Sequence, residues 1–182
     1  MKISHILFAS ITLLTIACSD SSSESNEMLI GSWDLEQLNG EGKATNEKSG
    51  EKIVKDIAVS SGEVSYVITF TEGSYVTAGS YNVTNETINA NGSKTFEPFI
   101  YTNASGSGTY KIKDQLLTSG GPFIGVQIAG VNLGLMAEEQ ESTIESLTDE
   151  ELILSSTQEK SLMQGDSTVT VILNTRSVWS KR

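Results

Sequence analysis

The sequence predicts an all-β protein, an antiparallel barrel or sandwich, and three observations carry that prediction. Apolar residues recur at every second position in short runs, consecutive runs are separated by gaps of turn length, and amphipathic helical periodicity is scarce. Hairpins that follow one another along the chain favour the up-and-down barrel, which also removes exposed sheet edges.

Ahead of these runs stands a different kind of segment. Lys2 and the apolar stretch from Ile6 to Ile16 read as the charged and hydrophobic parts of an export signal, too short to span a bilayer. The stretch stops at Ala17-Cys18, a small residue before the single cysteine of the chain. That ending resembles the lipobox of bacterial lipoproteins. The resemblance implies that residues 1–17 are a signal peptide and that Cys18 is the lipid-bearing first residue of the mature chain. It also implies membrane anchoring and a place in the cell envelope, at the outer membrane. Residues 18–28 carry no apolar side chain between Ser19 and Glu27, so they are expected to form a flexible tether.

The strands follow in order. Gly31 to Leu38 places Trp33 and Leu35 between charged residues and breaks at Asn39-Gly40, after which residues 41–52 read as a polar loop. Glu47 to Val59 is the best helical candidate, with Ile53 and Ile57 on one face, and fits a strand as well. Val64–Phe70 and Ser74–Tyr81 flank Thr71-Glu72-Gly73 as a hairpin in which Gly73 supplies positive φ. Gly108–Lys113 and Gln115–Thr118 pair around Asp114, and Ser142–Leu147 and Glu151–Ser156 around Thr148-Asp149-Glu150. The run from Ser167 to Trp179, rich in β-branched residues, is the last strand.

Composition narrows the chemistry. A net charge of -11 repels phosphate backbones, so no nucleic-acid partner is expected. The one histidine, His5, lies in the signal and the one cysteine is the lipid site, which leaves the mature chain without a Ser-His-Asp triad, a thiol nucleophile or a His-ligated metal site. The acidic runs Glu138-Glu139-Gln140-Glu141 and Asp149-Glu150-Glu151 read as solvated turns, because adjacent carboxylates in a strand point to opposite faces. No catalytic residue, metal or cofactor is expected. Asn82, Asn85, Asn91 and Asn103 head glycosylation-like triplets that read as turn composition, and Asp166-Ser167-Thr168 is a short pattern of the same weight.

Gly31-Ser32-Trp33 at the start of the first strand resembles the G-x-W signature of the lipocalins, and residues 29–182 resemble a lipocalin-like domain. The resemblance implies an up-and-down barrel of about eight strands whose closed end is plugged by Trp33. It also implies an arginine near the end of the last strand, best matched by Arg176, packed across the indole. A small apolar ligand inside the barrel is the function that goes with it.

Residues 120–136 carry no charge and place Val126/Ile128 and Val131/Leu133/Leu135 in alternation among glycines. They read either as a hairpin supplying barrel core or as an apolar face for a ligand or partner, with Phe123 beside them and Phe99 and Tyr101 on a neighbouring segment. The sequence thus supports two non-enzymatic functions: a ligand carrier, or an interaction lipoprotein, accessory subunit or inhibitor with a filled barrel and a protein partner.

Overall fold

The computed structural model describes residues 26–121, 123–134 and 139–182. The signal peptide, Cys18 and the tether as far as Ser25 lie outside these residues, and so does Leu135. A helical turn over residues 26–29 precedes the first strand.

Ten strands follow: β1 (Gly31–Lys48), β2 (Glu51–Thr71), β3 (Ser74–Ile88), β4 (Lys94–Lys113), β5 (Leu116–Ser119), β6 (Val126–Ile128), β7 (Val131–Leu133), β8 (Gln140–Leu147), β9 (Glu151–Gln164) and β10 (Ser167–Lys181). Eight of them close into a ring in the order β1-β10-β9-β8-β5-β4-β3-β2, and β6 and β7 form a separate two-stranded sheet. Every neighbouring pair is antiparallel, so the architecture is the up-and-down closure rather than the sandwich.

Alternation explains why these residues make this ring. Trp33 and Leu35 on β1, Tyr66, Ile68 and Phe70 on β2, and Val169, Val171, Leu173, Ser177 and Trp179 on β10 are buried, while the residues alternating with them are exposed or half-buried. One face of every strand therefore points into a shared apolar interior. The sheet must bend sharply to close, and Gly42 permits one bend: a Cβ there would lie 2.0 Å from the Ile172 carbonyl oxygen of the neighbouring strand.

Four readings of the sequence are corrected. Asn39-Gly40 is not a turn; β1 runs through it to Lys48, pairs with β2 as far as Lys48↔Glu51, and reverses at Ser49-Gly50, both at positive φ. The expected polar loop 41–52 is thus mostly strand, and the helical candidate Glu47–Val59 is strand apart from that turn. Finally, β9 continues to Gln164 instead of stopping near Ser156.

The wall has uneven height. β5 and β8 pair over only Leu116–Ser119 with Gln140–Thr143, and β5 meets β4 only at residues 110–113. Above them, β4 from Lys94 to Thr109 pairs only with β3, and β9 from Ser156 to Gln164 pairs only with β10. A window opens in the wall between these two strands.

Candidate functional site

The chain between β5 and β8 folds back into the barrel beneath that window. Ala129 and Gly130, at φ 49° and 79°, form the two-residue turn that a tight hairpin requires, and Val126↔Leu133 and Ile128↔Val131 pair around it. The alternation gives the hairpin two faces. Phe123, Val126, Ile128, Val131 and Leu133 are all at most 4% exposed and join the barrel core, whereas Asn132 is exposed and Gln127 half-buried. Phe123 reaches deepest, in edge contact with Tyr75 (4.6 Å between ring centroids) and Phe70 (5.8 Å).

The outer edge of β6 pairs with side chains instead of a strand. Tyr66 Oη donates to the Phe123 carbonyl (2.8 Å), and Tyr81 Oη donates to the Gly125 carbonyl (2.7 Å) while accepting from the Gly125 amide (3.2 Å). The Gln127 amide donates to Tyr101 Oη (2.9 Å), and Asn85 Nδ2 donates to the Gln127 carbonyl (2.6 Å). At the tip, Gln164 Nε2 donates to the Ala129 carbonyl (3.0 Å). A row of polar side-chain tips thus satisfies a strand edge that would otherwise be buried and unpaired. Tyr81 and Tyr101 stack at 4.7 Å, which fixes their rings. Burial raises the pKa of Tyr66, Tyr81 and Tyr101 above the usual phenol value, and that of Tyr75 to about 12, so these hydroxyls stay protonated.

The closed end is sealed by Trp33, which is fully buried and donates from Nε1 to the Leu29 carbonyl (2.8 Å). Its cationic partner is not Arg176. Inward positions on β10 are odd-numbered, so Arg176 points outward, lies opposite Asn39, and pairs with Glu145 on the surface (2.8 Å). Glu145 is correspondingly held below the usual carboxylate pKa by its hydrogen bond from Arg176. Lys181 takes the place over the indole, with Nζ 4.9 Å from the ring centroid and donating to the Met28 carbonyl (3.0 Å). The register Trp33↔Lys181 was available only from strand parity counted back from Trp179.

The residues proposed as a ligand or partner surface are mostly interior. Phe123, Val126, Ile128, Val131 and Leu133 form core, and Phe99 and Tyr101 are half-buried against it. Tyr66, Tyr81 and Asn85 carry the site together with them and are not distinctive in the sequence, since polar tips on inward-facing strand positions look like ordinary alternation. The interior keeps a crevice of about 30 Å³ beside Phe123, Val126, Ser142, Ser177 and Trp179. That holds a water molecule, not a lipid. The larger concavities are on the surface, such as one of about 710 Å³ at the closed end beside Glu27, Ile30, Glu72 and Lys111. Among the described residues no three acidic, histidine or cysteine side chains converge on a metal position.

The outer face is mixed, carrying Glu41, Lys43, Lys111, Glu145, Glu159 and Arg176 in exposed positions among scattered exposed apolar residues such as Val76 and Ile172, with no continuous apolar band. A bilayer-spanning barrel shows the opposite arrangement, an outward apolar band around a polar lumen. Among the described residues no helix is long and apolar enough to cross a membrane.

Fold and site define a class: an eight-stranded antiparallel up-and-down barrel with an apolar interior, filled by its own hairpin. No known family model and no curated protein matches the chain. Among solved structures, the chain is matched to Ail, the attachment invasion locus protein of Yersinia pestis, at 12% identity and a TM-score of 0.23, over 82% of this chain and 99% of Ail. A superposition at that score carries no argument about fold or function.

Proposed function

We propose that this protein is a lipid-anchored, non-enzymatic lipoprotein of the bacterial outer membrane, with a lipocalin-like barrel that acts by contact with another polypeptide rather than by carrying a small molecule. The observation that carries this reading is the occupied interior. Hairpin β6–β7 occupies the barrel interior where a carried ligand would sit, and the crevice beside Phe123 and Trp179 holds only about 30 Å³. The lipobox-like Ala17-Cys18, the apolar leader and the polar tether support the anchor. Gly31-Ser32-Trp33 with a cation over the indole supports the lipocalin-like reading. The lack of histidine and free thiol in the mature chain supports a role without catalysis.

Two measurements test it. Labelled fatty acid should be incorporated by the wild type and not by Cys18→Ser; labelling of neither removes the anchor from the proposal. Native mass spectrometry of the protein from its own host should give the mass of the acylated chain alone, and a stoichiometric apolar compound would restore the ligand-carrier reading.

A further inference from the structure

We propose that the slot beneath the window is a receptor for an extended polypeptide strand and that hairpin β6–β7 is its resident, exchangeable occupant. The inference rests on the contact-based reading above and gives the partner a chemistry: an uncharged strand with apolar residues at alternate positions.

The hairpin itself is the template for that chemistry. Where it meets the inner faces of β2, β3 and β4, the wall recognises its backbone, through Tyr66, Tyr81, Tyr101 and Asn85, and its side chains only by apolar contact. Backbone recognition of this kind accepts any extended chain that places carbonyls and amides at the same spacing. The fit of the resident is also incomplete. Asn85 Oδ1, on β3, is buried without a hydrogen-bond partner among the described residues, whereas the neighbouring Tyr75 and Thr77 hydroxyls lie beside Ser119 and Tyr66. Asn85 is 3% exposed and already grips the Gln127 carbonyl through Nδ2; its Oδ1 is placed to accept an amide from the same strand edge, and the hairpin gives that amide to Tyr101 instead. An occupant that supplied the missing partner would bind better than the resident. Access runs through the window, where β4 from Lys94 to Thr109 and β9 from Ser156 to Gln164 have no strand on their second edge. Neither β6 nor β7 belongs to the barrel ladder, so the hairpin can leave without breaking the ring; Gly120 and Gly121 at one end and Gly134 at the other are sites of close backbone approach.

The probe is a fluorescein-labelled synthetic peptide with the sequence of residues 119–134, titrated by fluorescence anisotropy into the acylated protein in detergent micelles. Gly130→Val puts a β-branched residue at φ +79° and, with its Cβ 2.8 Å from Gln164 Nε2, disfavours both the resident turn and its clamp, so it should tighten peptide binding by about tenfold or more over the wild type. In that background Asn85→Ala should weaken binding by about fivefold to tenfold, and a peptide of the same composition in scrambled order should not bind. If Gly130→Val proves unfolded by near-ultraviolet circular dichroism, Gln164→Ala replaces it, releasing the clamp on the Ala129 carbonyl, with the same direction expected. No saturable binding to a folded variant, or equal binding by the scrambled peptide or to Asn85→Ala, would overturn the proposal and establish the hairpin as fixed core. A co-purifying apolar compound, by contrast, would overturn the contact-based function and leave strand exchange to be judged by the titration.

Discussion

Tyr81→Phe isolates how firmly the hairpin is held. The substitution keeps the ring, which is 2% exposed and stacked on Tyr101, and removes one oxygen. That oxygen serves both polar groups of Gly125, accepting from its amide at 3.2 Å and donating to its carbonyl at 2.7 Å. Gly125 is buried, and its neighbours Ile124 and Val126 line only the 30 Å³ crevice, so no bulk water replaces the hydroxyl. Each buried backbone group left unpaired costs about 1–3 kcal/mol, and the pair together about 2–6 kcal/mol, with no cavity term because the ring remains. That is a large share of the roughly 5–15 kcal/mol by which a domain of this size is stable. Urea denaturation followed by the fluorescence of Trp33 and Trp179, both in the core, reads the loss as a lower midpoint at unchanged slope. Tyr110→Phe is the control, since its hydroxyl donates to a single carbonyl, Thr71 O, in a half-buried position at the closed end, and should cost about 1 kcal/mol. Should Tyr81→Phe cost no more than Tyr110→Phe, the side-chain ladder is not what retains the hairpin, and the account of the site fails with it.

Other consequences are independent of that one. Lys181→Ala should lower stability by about 1–2 kcal/mol through loss of the contact over Trp33 and the bond to the Met28 carbonyl, whereas Arg176→Ala, exposed in a surface pair, should cost under about 0.5 kcal/mol. Equal losses in thermal or urea melts would return Arg176 to the closing role. All five tyrosines are buried enough to have raised pKa values, Tyr75 reaching about 12. A raised folded-state value means stability fully present below the unfolded phenol pKa of about 10 and lost as pH climbs from there towards and beyond 12. Tyrosinate absorbance and circular dichroism should therefore change together in one cooperative alkaline step, and tyrosines that ionise ahead of unfolding would contradict their burial.

Much of the ring was legible because burial writes itself into alternation. Val64–Phe70 with Ser74–Tyr81, the Asp114 turn and the Thr148-Asp149-Glu150 turn all lie where one strand face meets the core, and each appears in the structure at its expected place. The upper reaches of β1, β2, β4 and β9 were hidden for the opposite reason. Glu41–Lys48, Glu51–Asp56, Lys94–Thr102 and Thr157–Gln164 pair through backbone bonds beyond much of the core, so most of their side chains face solvent and read as loop composition. Trp33 was legible as the seal, yet its cation was not, because Arg176 and Lys181 differ only in parity and β10 must be counted from its buried residues to tell them apart. The hairpin was visible as an uncharged, glycine-rich alternation, but its pairing to tyrosines on three other strands is a long-range fact that no local pattern carries.

Under the proposed anchor at Cys18, the start of the described chain decides which end of the barrel would face away from the membrane. The described chain starts at Asn26, in the helical turn that packs Leu29 under Trp33 at the closed end. From Cys18 to Asn26 the sequence gives a reach of at most roughly 28 Å at about 3.5 Å per residue, so the proposed lipid attachment at Cys18 would hold the closed end near the bilayer. The turns at Ser49-Gly50, Asn91-Gly92 and Gly165-Asp166 are then distal, and near them lie the exposed Ile53, Phe96, Ile100, Leu162 and Met163. In that orientation those side chains would lie away from the membrane, where an exposed apolar cluster suits contact with a protein in the aqueous phase. An environment-sensitive fluorophore on Glu27→Cys should report the bilayer in proteoliposomes of the acylated protein, and the same dye on Met163→Cys should report water. The reverse result would lay the barrel mouth-down and turn the window towards the lipid.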